Sequence, residues 1–422
     1  MSAVSRHYVL AAGGTGGHLL PAFALAAELH QRGHHVALIT DERGAKIPGK
    51  PEYLPAHILP PGRIAGRNPL GWLKGARGVW QGRAMAKRLF DSFQPSAVVG
   101  FGGYPSLPTM LAATSAGIPS VIHEQNAVLG RVNRYFAGKV DAIATPSEVV
   151  DRLDDKYAGK VTLVGNPVRA EVLALRDAPF PEFSEDSLFR ILVTGGSQGA
   201  RILSQVVPEG LAMLPTALRS RLQVIQQCRP EDIEGVRERY ATHGIPAELG
   251  TYFPDMAERL AGAHLFIGRS GASTIAELTA VGRPAILIPL PYAMDDHQSA
   301  NAREMVAGGG ARVLRQPPIT TEDPDAYTGE KLNELLREQA DIQQKMAKDL
   351  CLQIQAIAQR PETLANAAHA AWNCGYPKAA IDLADLVESF GAAPIMDVLR
   401  VVPEGGAPAH GTQGALAREG AR

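Results

Sequence analysis

"VLAAGGTGGHLLPAFALAAEL", residues 9–29, decides the fold. An apolar run ends in glycines, and Pro21 to His30 then reads as a helix, with a proline early and Gly33 just past the end. "HHVALITD", residues 34–41, supplies the next strand, so the first 41 residues form a βαβ unit. Its loop offers Thr15, Gly16 and Gly17 as bare backbone N–H groups at a helix N-terminus, where the peptide dipoles favour an anion such as a diphosphate. A tight turn needing positive φ is the plain alternative for a glycine pair. Four glycines with a Thr and a His at a strand end favour a ligand loop.

The same grammar returns about 180 residues later in "FRILVTGGSQGARILSQVVPEGLAML", with a glycine-rich loop at Gly195 to Gly199. A second pair supports duplication: "AVVGFGGYPSLPTMLAATSAGIPSVI" and "LFIGRSGASTIAELTAVGRPAILI" share a strand, a glycine-containing turn, a small-residue helix and a Gly-x-Pro break, with Gly117/Pro119 matching Gly282/Pro284. Repeated βαβ units predict an α/β protein with two doubly wound, Rossmann-like domains facing each other. The Pro-rich, acidic stretch at 175–190 marks the break. Residues 330–390 read as largely helical, and the Gly/Ala/Pro-rich end reads as disordered.

Composition narrows the partners. With 422 residues, 45% hydrophobic and 20% charged, and a net charge of −1, the chain is globular and lacks the bulk positive charge of a nucleic-acid binder. Residues 1–165 nevertheless carry 18 Lys and Arg against 11 Asp and Glu, which suits an anionic partner on that half. Three scattered cysteines fit a reducing compartment, and no run approaches the roughly 20 apolar residues of a membrane span. Residues 63–90 hold seven basic residues and no acidic one, interleaved with Trp72 and Trp80, the make-up of a surface resting on anionic lipid. RNA and a solvated helix face are the alternatives, and the apolar spacing there is too irregular to assign a face.

The polar residues at strand ends carry the chemistry. His18, in the first turn of the first helix, can accept a proton from a sugar hydroxyl near neutral pH. Ser197 and Gly199 can hold phosphate or ribose oxygens. Residues 270–273 open another helix, and Glu277 further along it can accept hydrogen bonds from vicinal ribose hydroxyls. His297, Gln298 and Asn301 can read sugar hydroxyls. "HEQN", residues 123–126, follows an apolar strand where ligands of parallel sheets bind. Arg169 can offset diphosphate charge. No metal-ligand spacing or P-loop lysine motif is present. A dinucleotide loop lacks its third glycine here, although Asp41 could still serve an NAD ribose, so a dehydrogenase stays open.

Taken together, "GGTGGHLLPAFALA", "GFGGYPS", "HEQNAVLGRVNR", "GNPVR", "GGSQGAR", "RSGASTIAEL" and "DHQSANA", in that order, closely resemble the MurG family across residues 7–370. That resemblance implies a GT-B fold, with residues 1–165 as the acceptor and membrane-side domain, 166–375 as the donor domain and 376–422 as an extension of helix then tail. It implies inverting transfer of N-acetylglucosamine (GlcNAc) from UDP-GlcNAc to the 4-hydroxyl of the N-acetylmuramyl (MurNAc) unit of lipid I, undecaprenyl-pyrophosphoryl-MurNAc-pentapeptide, giving lipid II, peripherally on the cytoplasmic side of the cell inner membrane. By motif position, Thr15, Gly16, Gly17, Asn126, Arg169, Ser197, Phe253, Ala272, Ser273, Thr274, Glu277 and Gln298 would meet the donor, and His18 would be the general base. Tyr104, His123 and Glu124 would face the acceptor. No metal or cofactor is implied. His297-Gln298 replaces the paired glutamines of some members, so only Gln298 is carried over. A UDP-GlcNAc 2-epimerase or another lipid-linked sugar transferase would share the nucleotide site, and a membrane-surface nucleotide-binding scaffold is the non-enzymatic alternative.

Overall fold

The computed structural model describes residues 5–60, 69–196, 199–318 and 328–390. Two all-parallel sheets organise it. The first runs β3-β2-β1-β4-β5-β6-β7, with β1 at His7–Ala11, β2 at His35–Thr40, β3 at Ala56–Ile58, β4 at Ala97–Gly100, β5 at Ser120–His123, β6 at Ala142–Thr145 and β7 at Val161–Leu163. The second runs β10-β9-β8-β11-β12-β13, with β8 at Phe189–Thr194, β9 at Leu222–Gln227, β10 at Ala247–Gly250, β11 at Leu265–Gly268, β12 at Ala285–Leu287 and β13 at Ala311–Val313.

Each sheet is covered on both faces, which is why its central strands are unbroken apolar runs. Alternation along β1 sends Tyr8 and Leu10 towards the Gly16–Gln31 helix and Val9 towards the Pro69–Phe93 and Ser106–Ala116 helices. In the second sheet Ile191 and Val193 pack with the Arg201–Ala212 and Gly329–Ala358 helices, and Leu192 faces the Ala272–Val281 helix. The helices after β4 and β11 both end on a left-handed glycine, Gly117 and Gly282, as the duplicated Gly-x-Pro breaks suggested.

The order of strands reverses between β1 and β4, and again between β8 and β11. Loops leaving neighbouring strands in opposite directions open a crevice at these two places. The two crevices face one another.

The sequence reading left the chain beyond residue 376 without a role, but the Ala379–Phe390 helix crosses back and completes the first domain. Leu383, Ala384 and Val387 are fully buried in the core that contains Leu10 and Leu25. Arg32 bridges to Asp385 at 2.6 Å and Glu388 at 2.7 Å, fixing its outer face. The chain thus passes between the halves twice, and the passes touch at Gly165, where an added Cβ would lie 2.2 Å from that of Tyr376; its φ of +85° also suits glycine. The expected tail, 391–422, lies outside the described residues.

Candidate active site

The two crevices merge into one cleft of about 1500 Å³. That exceeds the roughly 300–1000 Å³ of a typical small-ligand pocket and leaves room for two substrates. The loops after β1, β4 and β5 line one wall; those after β8 and β11, and the Ala272–Val281 and His297–Ala307 helices, line the other.

Thr15 is the extended N-cap of the first helix and makes no side-chain cap bond, so Gly16 and Gly17 present first-turn N–H groups to the cleft. Asp41 braces this loop from behind: its Oδ1 accepts from Gly14 N at 3.0 Å and Gly44 N at 2.9 Å. Burial pushes the Asp41 pKa up, but those N–H groups and the Arg43 guanidinium hold it below the usual carboxylate range. A carboxylate committed in this way is no ribose ligand, which removes the feature that kept a dehydrogenase open.

His18 lies in the cleft wall with its Nδ1 2.6 Å from Gln125 Oε1. Gly102 and Gly103 flank the ring; an added Cβ on either would stand 3.6 Å and 3.4 Å from its carbons. Tyr104, on the same loop, lines the cleft with its hydroxyl enclosed and unpartnered, and burial raises its pKa.

Of the two residues expected beside Tyr104 on the acceptor side, Glu124 lines the cleft and His123 does not. His123 is fully buried, its Nε2 3.0 Å from Gly165 O. Glu124 is 2% exposed, and its carboxylate accepts from the backbone of Gln125, Asn126 and Gly130 and from the side chains of Asn126 and Asn133 at 2.8–3.3 Å. It shapes the cleft wall. Asn126 lines the cleft, but its Oδ1 accepts from Asn301 Nδ2 at 3.1 Å, and Asn301 Oδ1 accepts from Ala127 N, so this pair ties the halves together. Asp295, bridged to Arg134 at 3.1 Å and Arg152 at 2.9 Å, adds a second tie.

On the opposite wall Gly271 is an extended N-cap, and Ala272, Ser273 and Thr274 begin their helix at the cleft. Ser273 Oγ is buried without a partner. Gln298 also lines the cleft, with its Oε1 accepting from Leu290 N at 2.9 Å. Ser197 lies outside the described residues.

Arg169 and Glu277 were expected on the nucleotide, but the structure pairs them outside the cleft lining, with Arg169 Nε and Nη2 3.0 and 2.9 Å from Glu277 Oε1. Burial raises the Glu277 pKa against the pull of that guanidinium. Both bonds fall on Oε1, so Oε2 is still available to a hydroxyl. Phe253 is also absent from the lining; its ring is buried against Gly250 and under the Arg259 guanidinium, 4.4 Å from its centroid.

Sequence reasoning missed two residues. Gln125, within "HEQN", carries no role by sequence, yet it holds His18. Arg269 sits on the cleft after β11, 9% exposed, donating to Ile288 O and Pro289 O, and burial lowers its pKa to about 10. Its position one residue beyond the end of a parallel strand was the signal. Among the described residues no cluster of His, Cys, Asp and Glu could hold a metal.

The glycosyltransferase family 28 N-terminal domain matches residues 8–145, and the C-terminal domain of that family matches residues 190–366. A UDP-N-acetylglucosamine–N-acetylmuramyl-(pentapeptide) pyrophosphoryl-undecaprenol N-acetylglucosamine transferase of Novosphingobium aromaticivorans is 70% identical over 95% of this chain and 96% of its own. The crystal structure of Acinetobacter baumannii MurG is similar with a TM-score of 0.66 at 26% identity, covering 91% of this chain and 99% of that one. A Neisseria meningitidis UDP-GlcNAc 2-epimerase bound to UDP-GlcNAc shares the fold alone, with a TM-score of 0.59 at 13% identity over 91% of this chain and all of that one. With both of its domains matched and its facing sheets forming a GT-B fold, the chain belongs to glycosyltransferase family 28 and, within it, to the MurG family.

Proposed function

We propose that this enzyme transfers N-acetylglucosamine from UDP-GlcNAc to the MurNAc 4-hydroxyl of undecaprenyl-pyrophosphoryl-MurNAc-pentapeptide, the step from lipid I to lipid II in peptidoglycan synthesis. The observation that carries the mechanism is the cleft in which one wall offers an imidazole and the other a helix N-terminus that no side chain caps. The donor diphosphate sits against Ala272, Ser273 and Thr274, where first-turn N–H groups and the helix dipole meet the charge of the departing UDP. Arg269 adds a cation there. Glu277 Oε2 takes a ribose hydroxyl, with Arg169 holding the carboxylate, and the uracil lies towards the backbone near Phe253. Gln298 and Asn126 bracket the sugar. Thr15, Gly16 and Gly17 approach the donor from the other wall.

His18 then draws the proton from the 4-hydroxyl while its oxygen attacks the anomeric carbon and the bond to the diphosphate breaks, inverting that carbon. Tyr104 stands beside the acceptor. The test is labelled UDP-GlcNAc supplied with a lipid I analogue. Labelled disaccharide-lipid is expected, and UDP binding without transfer would leave only the scaffold reading.

The enzyme works peripherally at the cytoplasmic face of the inner membrane. No helix among the described residues is long and apolar enough to cross a bilayer. The Pro69–Phe93 helix leaves Trp80 70% exposed, with Arg77, Lys87 and Arg88 also exposed on the same side by helical spacing. Such a face lays an aromatic ring and cations on anionic lipid. Arg63 and Arg67 of the basic segment fall outside the described residues. Flotation with anionic but not with zwitterionic vesicles is expected, and equal flotation with both would remove the electrostatic part.

A further inference from the structure

Behind His18 runs a file of polar contacts whose donors and acceptors are fixed by its ends. Gln125 is 3% exposed, and its Nε2 lies 2.8 Å from the carbonyl oxygen of His123, which can only accept. That end of the amide is therefore the NH2, and the end 2.6 Å from His18 Nδ1 is the oxygen. An amide oxygen cannot donate, so His18 Nδ1 carries the hydrogen. The other hydrogen of Gln125 Nε2 points at His123 Nδ1, 2.9 Å away, which must present a lone pair. His123 then keeps its proton on Nε2 and donates to Gly165 O at 3.0 Å. Complete burial, which pushes the His123 pKa down to about 4, keeps that ring neutral and the file intact at neutral pH.

We propose that Gln125, oriented by neutral His123, is a positioning residue for the transfer: it pins His18 as the Nδ1–H tautomer and so keeps Nε2 as the lone pair that takes the acceptor proton. The inference rests on His18 being the base. In water a neutral imidazole exchanges between tautomers, and the form with hydrogen on Nε2 offers no lone pair to a hydroxyl at that atom. Gly102 and Gly103, flanking the ring, leave the Gln125 bond to set its orientation. In the step itself the hydroxyl O–H breaks, its proton goes to Nε2, the new C–O bond forms and UDP leaves with the electron pair of the bond it loses. The cation that results is held by an amide dipole. A carboxylate in that place would make the imidazole more basic, whereas the amide selects the tautomer without adding charge.

Long-range proton–nitrogen correlation on the enzyme with 15N-labelled histidine reads the tautomers directly above pH 7.5, with His18→Ala and His123→Gln spectra assigning the signals. Hydrogen on Nδ1 of His18 and on Nε2 of His123 is expected. In Gln125→Leu the His18 signals should move to a mixture, with kcat down about tenfold to a hundredfold and KM for UDP-GlcNAc within about twofold. Gln125→Glu, which again offers an oxygen to Nδ1, should restore the Nδ1–H form. Wild-type His18 with its hydrogen on Nε2 overturns the proposal even if no variant folds, as does a Gln125→Leu enzyme with unchanged tautomer or unchanged kcat. Full turnover by His18→Ala would instead sink the base assignment, and this role with it, while leaving the tautomer pattern standing.

Discussion

The two walls of the cleft are built on the same βαβ plan and finished differently. On the first wall the side chains that shape the site already have partners, Asp41 holding Gly14, Gln125 holding His18 and Glu124 accepting five hydrogen bonds, while the Gly16 helix start and the Tyr104 hydroxyl stay open. On the second the helix N-terminus at Ala272 is uncapped by any side chain, and Ser273 Oγ is buried with nothing to bond. A proton acceptor is useful only when its geometry is set before the substrate arrives, so its wall is pre-bonded. A site for a diphosphate keeps its donors open because the ligand brings the acceptors. Substitutions should therefore register in chemistry and stability on the first wall and in donor affinity on the second.

The sharpest break comes from His18→Ala. Loss of a positioned base should cut kcat by about a thousandfold, while UDP-GlcNAc binding by calorimetry stays near wild type because the opposite wall is untouched. A variant within tenfold of wild type would move the base elsewhere. Next in size is Glu124→Ala, which leaves five donors facing a hole at a site 2% exposed. Each orphaned buried donor costs about 1–3 kcal/mol, less where water enters, so a loss of at least about 3 kcal/mol in denaturant unfolding is expected. A loss under about 1 kcal/mol would mean the wall is held by something other than this carboxylate.

The sequence made the first half of this contrast easy to place and hard to interpret. Strand, loop and helix order follow from apolar runs and glycines, which are local signals, so the two facing doubly wound domains were legible. Residue types at strand ends pointed to the cleft for the same reason. What a polar side chain bonds to can depend on residues far along the chain: His123 has the polarity of a ligand contact and is consumed by Gly165, 42 residues on, whereas Glu124 lines the cleft with its oxygens bonded to its own loop and helix. Arg169 and Glu277 are separated by 108 residues, and nothing local to either says they will pair. The Ala379–Phe390 helix was expected as a helix, but its docking on the first domain was equally invisible, since its apolar face reads the same whether it closes its own domain or the other one.

His123 gives a pH test of the same wall. Its pKa falls from the ordinary 6.5 to about 4 on burial, so the unfolded chain binds a proton that the folded one refuses between those values. Stability from this group is complete above about pH 6.5 and is lost as pH falls towards 4, by up to about 3 kcal/mol. His123→Gln should be less stable than wild type at pH 7 and should show a shallower decline over that window. Parallel declines would mean that other groups set the acid limb.

The smallest effect belongs to the second wall. Ser273→Ala removes a buried hydroxyl that no protein group partners, so unfolding stability should stay level or rise by up to about 1 kcal/mol, the reverse of Glu124→Ala. If that hydroxyl meets a donor phosphate, losing one such bond raises KM for UDP-GlcNAc about fivefold and leaves kcat at saturating donor nearly unchanged, because ground state and transition state lose it alike. A fall in kcat at constant KM would place Ser273 on charge that develops only as the bond breaks. An unchanged KM would leave the backbone N–H groups of residues 272–274 to hold the phosphate on their own. Either result would still separate the unpartnered Ser273 hydroxyl of the second wall from the bonded Asp41, Glu124 and Gln125 of the first.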